Sequence, residues 1–176
     1  AAISPWNFPM MLASWKIAPA LAYGNTVVLK PAEQTPVSCY RMAELAAEAG
    51  MPEGVLNVVH GFGPGDVGEH LTIHPEVDLV TFTGESNTGR AIMEAASSTL
   101  KGISFELGGK GANIVFEDAD IDDAVDWSIK AIFTNAGQVC LAGSRLYVHQ
   151  NIYKEFLQRF KTKAEQMIVG DPTDPN

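Results

Sequence analysis

The sequence predicts an α/β fold: a Rossmann-like parallel sheet with helices on both faces, followed by the start of a second α/β domain. Three observations support this prediction. Short β-branched runs alternate with helix-length segments, glycine clusters follow several of these runs, and the character of the chain changes after Gly108-Gly109. Alternation of strands and helices is typical of parallel sheets, because two parallel strands need a crossover between them.

The first part of the chain contains four predicted strands. Apolar and β-branched runs mark them at 26–29, 55–59, 77–82 and 103–107. Helices are predicted from Pro36 to about residue 49 with Thr35 as the N-cap, in a short segment after Gly65, and at about 88–96. Ligands bind at the carboxyl ends of parallel strands. We therefore expect one edge of the sheet to carry Lys30, Gly61, Gly84 and Leu107.

The second part begins after a boundary that we place at Leu107/Gly108. It contains predicted strands at 113–116 and 145–149, and predicted helices at about 120–135 and 152–169. Acidic residues in the first turn of the 120–135 helix favour it through the helix dipole. The chain starts without Met and stops at Asp174-Pro175-Asn176 with no terminating element, so we expect a fragment.

Composition restricts the class of protein. Hydrophobic residues make up 46% and charged residues 19% of the chain, which is an ordinary globular balance. The net charge of −9 disfavours nucleic acid and anionic membranes as partners. Two cysteines and four scattered histidines form neither a disulfide framework nor a metal motif, so we expect no metal and a reducing, cytoplasmic location. The apolar opening run is too short and too broken by prolines to span a bilayer.

Two segments could contact a nucleotide. The segment from Gly84 to Gly89 follows a strand and opens a helix, where backbone N–H groups attract phosphate. Its spacing does not match a standard nucleotide fingerprint, so an ordinary glycine-rich turn is the alternative. Lys30 and Glu33 leave the end of a strand three residues apart and could hold ribose hydroxyls. A solvated charge pair is the alternative there.

Two further residues could carry covalent or acid–base chemistry. Cys140 lies among small residues after a long helix, where a thiol could act as a nucleophile, although most lone cysteines are buried core residues. Glu106 ends an apolar strand before two glycines and could serve as a general base, or could be an exposed strand-end charge. Cys39 lies within a predicted helix and is interpreted as a core residue.

Taken together and in order, five motifs resemble those of the aldehyde dehydrogenase superfamily, and the resemblance covers the whole chain. The combination of the fourth and fifth motifs is highly specific. They are Ile3-Ser4-Pro5-Trp6-Asn7-Phe8-Pro9, Lys30-Pro31-Ala32-Glu33, Phe82-Thr83-Gly84, Glu106-Leu107-Gly108-Gly109-Lys110 and Gly137-Gln138-Val139-Cys140. Family enzymes are more than twice this length. The chain therefore resembles their central part: residues 1–107 an N-terminally truncated NAD-binding domain, and residues 108–176 a C-terminally truncated catalytic domain.

The resemblance implies a catalytic cysteine mechanism. Cys140 would attack the aldehyde carbon to give a thiohemiacetal, and Asn7 would donate to the oxyanion together with the backbone N–H of Cys140. After hydride transfer, Glu106 would activate the water that hydrolyses the thioester.

The resemblance also implies NAD as the cofactor. Lys30 and Glu33 would hold the adenosine ribose, and the carboxylate of Glu33 would disfavour the 2′-phosphate of NADP. Many relatives have Ser in place of Glu85, and an acidic side chain beside a pyrophosphate is unfavourable unless it points away. A direct phosphate contact from this side chain is therefore not expected. The full set of expected cofactor-binding residues is Trp6, Lys30, Glu33, Gly61, Gly84, Glu85 and Leu107.

Details of the Phe82–Gly89 and Phe133–Leu141 segments resemble the branch that oxidises hydroxymuconic semialdehydes from aromatic-ring cleavage. The betaine aldehyde and general aldehyde branches are similar enough to compete, and a truncated non-catalytic relative is a further alternative. Branches that transfer the acyl group to coenzyme A typically lack the carboxylate found here at Glu106, which favours hydrolysis. The expected partners are a small-molecule aldehyde and, for the full-length protein, further copies of itself.

Overall fold

The structure is a computed structural model that describes residues 1–173, and the chain forms two compact units. The first unit is Ala1–Gly108, and the second begins at Gly109. The boundary placed from the sequence at Leu107/Gly108 lies one residue before this division. The assignment of the two parts as NAD-binding and catalytic domains stays a prediction. The expected end at residues 174–176 lies outside the described part of the chain.

The first unit is built on a five-stranded, fully parallel sheet with the order β3-β2-β1-β4-β5. The chain winds outward from β1 to β3 and then crosses back to β4, so the direction of winding reverses between β1 and β4. Reversal of this kind creates a crevice at the carboxyl ends of the two strands. The strands are β1 (Ala2–Ile3), β2 (Val27–Lys30), β3 (Leu56–Val58), β4 (Leu79–Gly84) and β5 (Gly102–Leu107).

Helices cover both faces of this sheet, as the sequence predicted. Consecutive strand residues point to opposite faces, and in β1 Ala2 joins one core cluster while Ile3 joins another. Residues of α1 and α2 complete the first cluster and Ile92 of α4 the second. The helices of the first unit are α1 (Pro9–Ala22), α2 (Val37–Glu48), α3 (Val67–Ile73) and α4 (Ser86–Ser97).

Two elements had no prediction from the sequence, β1 and α1. Strand β1 has only two residues, and it exists because both pair with β2 on one side and β4 on the other. Helix α1 starts at Pro9, where the missing N–H costs nothing because the first helical N–H groups have no partner in the helix. A second proline, Pro19, lies inside its C-terminal half. Because proline inside a segment usually indicates the end of a helix, α1 was not predicted from the sequence.

Some predicted boundaries were wrong by a few residues. Helix α2 starts at Val37 and not at Pro36, which is the N-cap and has no side chain that can accept a hydrogen bond. The predicted cap, Thr35, lies one residue earlier, where its N–H closes a turn on the carbonyl of Ala32. Glu85 is extended and is the N-cap of α4, so this helix starts two residues earlier than predicted. The N–H of Val77 bonds to His74 in the turn after α3, which moves the start of β4 to Leu79.

The second unit contains two parallel strands joined by a helical crossover. The N-cap side chain of Asp120 accepts hydrogen bonds from the N–H groups of Asp122 and Asp123, both at 3.0 Å, and so fixes the start of the crossover helix. The last helix ends before the predicted Val169, which is almost fully exposed and has no packing to hold it. The elements are β6 (Ala112–Val115), α5 (Ile121–Phe133), a short 3₁₀ turn (Thr134–Gly137), β7 (Arg145–Val148) and α6 (Tyr153–Glu165).

The core of the second unit is formed by Val115, Val125, Ile129 and Phe156, which bring β6, α5 and α6 together. No helix among residues 1–173 combines the length and the apolar character needed to cross a bilayer.

Candidate functional site

A cavity of about 570 Å³ opens at the carboxyl ends of the strands of the first unit. Residues that follow β1, β2 and β4 line it, together with the starts of α3 and α4. It lies where the winding of the sheet reverses, which is the position at which open α/β sheets bind ligands. The lining includes Ser4, Trp6, Lys30, Glu33, Gly63, Pro64, Glu69, Thr83, Gly84, Glu85 and Thr88.

Lys30 and Glu33 form an ion pair at one side of this cavity, with 3.6 Å between Lys30 Nζ and Glu33 Oε2. The Lys30 side chain is 5% exposed, and its ammonium also donates to the carbonyl of Pro31 at 3.2 Å. Strand β2 places Lys30 at its last position, directly beside Ile3 of β1. A buried ammonium and a half-exposed carboxylate therefore face one space, which is what binding of neighbouring hydroxyl groups requires.

The start of α4 forms another side of the cavity. Gly84 ends β4, and Glu85 caps the helix through its backbone without a side-chain hydrogen bond. Within the helix, a Cβ at Gly89 would lie 2.9 Å from a methyl carbon of Leu107, so glycine lets the helix approach β5. Backbone N–H groups at such a helix start attract anions. The predicted residues Gly84 and Glu85 both line the cavity, and Leu107 packs behind the helix.

Gly61 does not line the cavity, although it was predicted to bind the cofactor. A Cβ at this position would lie 2.6 Å from a methyl carbon of Val67, so the absence of a side chain lets the loop turn close to α3. Gly63 and Pro64, further along the same loop, line the cavity instead. The glycine cluster pointed to a loop that reaches the cavity, and only the three-dimensional path of the loop selects the residues that line it.

The predicted base Glu106 lies in β5 with an exposed side chain, and it pairs in register with Thr83 of β4. Trp6 lies on the cavity wall, 45% exposed, and Asn7 follows it, half-buried, before α1 begins. The first unit therefore brings Trp6, Lys30, Glu33 and the start of α4 to one crevice, and it places Glu106 at the same carboxyl edge of the sheet.

Lys16, a buried lysine near the carboxyl edge of the sheet, was not predicted from the sequence as a site residue. Its ammonium donates to Thr83 Oγ1 at 2.5 Å, and Thr83 is the strand neighbour of Glu106. Burial lowers the pKa of Lys16, and the negative charge of Glu106 partly opposes this shift. One sequence signal could have found it: Lys16 is the only charged residue in the otherwise apolar and small-residue stretch of α1.

Cys140 belongs to the second unit, where its side chain is exposed. It lies in a turn closed by the N–H of Ala142 and the carbonyl of Val139 at 3.0 Å. The preceding residues Asn135, Ala136 and Gly137 all have left-handed backbone conformations, with φ of 50°, 55° and 77°. Consecutive left-handed residues end α5 abruptly and present the turn on the surface of this unit.

Cys39 is the opposite case, because it is fully buried in the core between α1 and α2. Its thiol lies 3.5 Å from the carbonyl of Pro9, and burial raises the pKa of the thiol. A thiol of raised pKa with no access to solvent is a poor nucleophile. The interpretation of Cys39 as a core residue is consistent with this position. Residues 1–173 contain no group of three or more histidine, cysteine or acidic side chains arranged to hold a metal.

The chain belongs to the aldehyde dehydrogenase family: the sequence profile of the "Aldehyde dehydrogenase family" matches residues 1–176. A curated relative, the 2-hydroxymuconic semialdehyde dehydrogenase of Pseudomonas sp. (strain CF600), is 54% identical over 173 residues. That match covers 98% of this chain and 36% of the relative. The chain thus spans about a third of the length of such relatives.

Solved structures show the same fold. The crystal structure of PnpE in complex with nicotinamide adenine dinucleotide has a TM-score of 0.96 and 55% identity, covering 99% of this chain and 36% of that one. A crystal structure of an Escherichia coli NADP dependent enzyme also has a TM-score of 0.96, with 46% identity and the same coverage of 99% and 36%. Membership of the family and the α/β fold predicted from the sequence are therefore confirmed.

Proposed function

We propose that the full-length protein containing this chain oxidises an aldehyde to a carboxylic acid with NAD, using Cys140 as the nucleophile. One observation carries the proposal: in a chain that matches the family from end to end, the cysteine of the Gly-Gln-x-Cys motif is exposed in a turn. The other cysteine is buried in the core. An exposed thiol is available to a substrate, and a thiolate is a strong nucleophile.

In the proposed reaction, the Cys140 thiolate forms a C–S bond to the aldehyde carbon, and the carbonyl oxygen becomes an oxyanion. The side-chain amide of Asn7 and the backbone N–H of Cys140 donate to this oxyanion. Donors of this kind are worth about 3 kcal/mol each in a transition state. Bound NAD supplies the hydride acceptor. Loss of the hydride leaves a thioester on Cys140.

The proposed second half of the reaction releases the acid. Glu106 takes a proton from water, the resulting hydroxide attacks the thioester carbon, and the C–S bond breaks to release the acid and return the Cys140 thiolate. A general base contributes about 10² to 10⁴-fold to such a step. The side chain of Lys16 donates to Thr83, the strand neighbour of Glu106, and so lies at the same edge of the sheet.

The residues around the cavity fit NAD by their chemistry. Lys30 and Glu33 are suited to the two hydroxyls of an unphosphorylated ribose, and the start of α4 is suited to a pyrophosphate. The cavity volume of about 570 Å³ lies within the range of small-molecule sites. On this basis the first unit is proposed to be the NAD-binding domain, and the second unit, which carries Cys140, part of the catalytic domain.

We further propose a semialdehyde from aromatic-ring cleavage as the substrate, which rests on the 54% identity to the 2-hydroxymuconic semialdehyde dehydrogenase. The proposed setting is the cytoplasm, because both cysteines are free. The full-length protein is also proposed to form an oligomer of identical chains and to have no nucleic acid partner.

The substrate proposal is tested with a panel of semialdehyde, betaine aldehyde and aliphatic aldehyde substrates. The value of kcat/KM should be highest for the semialdehyde, and equal values for all three classes would contradict the proposal.

The cysteine assignment is tested by Cys140→Ala in the full-length protein, with Cys39→Ala as the matched control. We expect Cys140→Ala to abolish aldehyde-dependent NADH formation and Cys39→Ala to retain it, because Cys39 only fills space in the core. Thiol labelling near neutral pH should modify Cys140 at least about a hundredfold faster than Cys39, given their exposure. Retained turnover in Cys140→Ala would disprove the role of this residue.

A further inference from the structure

Cofactor choice varies among proteins that share this fold. One solved relative holds nicotinamide adenine dinucleotide and another is an NADP dependent enzyme, yet both have a TM-score of 0.96 to this chain. The two cofactors differ by one phosphate on the adenosine ribose. Because the backbone is the same, the choice in this chain depends on the side chains around the cavity.

The charged side chains that line the cavity are mostly acidic. Among the lining residues within 1–173, Lys30 is the only basic one, whereas Glu33, Glu69 and Glu85 are carboxylates, so one positive and three negative groups give a formal charge of −2. The charge of Lys30 is already matched by Glu33 at 3.6 Å. A further phosphate in this space would therefore meet an excess of negative charge.

The loop between β3 and α3 has the composition of an anion-binding loop, with Gly61, Gly63 and Gly65, but two of its backbone donors are occupied by carboxylates. The N–H of Gly65 donates to Glu69 Oε2 at 2.7 Å, and the N–H of Phe62 donates to Asp66 Oδ2 at 2.8 Å. Backbone N–H groups in such loops bind phosphate when they are free. Here carboxylates of the chain itself take the place that an external anion would occupy.

Two N–H groups in the first turn of α3 are occupied as well, in this case by backbone carbonyls. The N–H groups of Gly68 and Glu69 bond to the carbonyls of Phe62 and Gly63 at 2.9 and 3.1 Å. Hydrogen bonds from backbone N–H groups, that of Phe62 foremost, lower the pKa of Asp66, and the charge of Lys30 adds to this effect. Asp66 is therefore ionised at neutral pH, and its charge acts on the same Lys30 that faces the cavity.

We propose that Glu69 is a second specificity-determining residue, which acts with Glu33 to reject a cofactor phosphorylated on the adenosine ribose. The inference rests on the proposed NAD-dependent function and extends it. A phosphate monoester carries about −1.5 to −2 charges at neutral pH, and each nearby carboxylate repels it. Glu69 contributes twice, because its carboxylate both adds negative charge to the cavity wall and occupies a backbone donor of the loop.

The test uses Glu69→Gln in the full-length protein, because glutamine keeps an oxygen that can accept from the Gly65 N–H and removes only the charge. Glu69→Ala is a second variant that loses the charge and the acceptor. The measured quantity is the ratio of kcat/KM with NADP to kcat/KM with NAD. Both variants should raise this ratio at least about threefold, and the double variant Glu33→Gln/Glu69→Gln should raise it further than either single variant.

Glu85→Gln is the matched control, because Glu85 lines the same cavity at the start of α4, where both cofactors present the same pyrophosphate. It should change the two kcat/KM values by similar factors. The rise in the Glu69 variants should shrink at high ionic strength, because salt screens the charge. A ratio that stays constant in both Glu69 variants, or that rises as much in Glu85→Gln, would overturn the inference. Absence of aldehyde oxidation by the unsubstituted protein with either cofactor would instead overturn the proposed function.

Discussion

Replacement of Lys30 by methionine gives the most direct test of the proposed nucleotide site. The lysine ammonium has three donors. One is used by the carbonyl of Pro31 at 3.2 Å and a second faces Glu33 at 3.6 Å. The proposed site assigns the third donor to the ribose of NAD. A hydrogen bond that involves a charged group contributes about 1.5 to 3 kcal/mol. Loss of this donor should therefore weaken NAD binding about tenfold to a hundredfold.

The assay is steady-state kinetics of the full-length Lys30→Met protein with NAD as the varied substrate. The KM for NAD should rise by the stated factor with a smaller change in kcat, because a contact to a remote ribose is made equally in the ground and transition states. Lys101→Met is the matched control: Lys101 is also buried, but it donates to the carbonyls of His74 and Val77, away from the cavity. It should lower the melting temperature and leave the KM for NAD within about twofold. An unchanged KM in Lys30→Met would refute the assignment.

Three further predictions concern stability. Ala136→Gly should raise the free energy of unfolding by about 1 kcal/mol, because Ala136 has a φ of 55° that glycine adopts without strain, and a lower melting temperature would contradict this. Asp66 has a lowered pKa, so its stabilising effect is present above its unfolded pKa of about 3.9 and is lost as the pH falls through the folded pKa. Urea titrations across this acid range should show that Asp66→Asn loses less unfolding free energy on acidification than the unsubstituted protein. Lys16 has a pKa lowered by burial, so between its folded pKa and its unfolded value of about 10.4 the folded state binds fewer protons than the unfolded state. The free energy of unfolding should therefore rise with pH across this range, and Lys16→Met should remove the rise. An identical pH dependence in both proteins would show that Lys16 does not cause it.

The predictions from the sequence succeeded where short-range patterns decide the structure. Strand β2 is a largely buried apolar run between β3 and β1, and the N-cap aspartate of α5 accepts two hydrogen bonds. Such elements follow from local preferences of a few neighbouring residues. That Lys30 and Gly84 line the cavity was predictable for a related reason, because each lies at the end of a recognisable strand. Their contact with a nucleotide stays a prediction.

The failures share one physical cause, which is dependence on distant partners. Strand β1 is two residues long and is held by pairing with strands that lie about 27 and 79 positions further along the chain. Lys16 is notable only because α1 folds against the sheet and brings it to Thr83. Gly61 and Gly63 are equivalent in composition, and only the folded loop turns one toward α3 and the other toward the cavity.

The sequence by itself determined the family, the alternation of strands and helices, and the identity of the chemical groups, because these depend on residue type and on order along the chain. The tertiary structure decided which groups share a space. It buried Cys39 and exposed Cys140, gathered Lys30, Glu33 and Glu69 around one cavity, and occupied the glycine-rich loop with the protein's own carboxylates. The reason is that burial and charge–charge distance arise from contacts between residues far apart in sequence, and no local pattern encodes them.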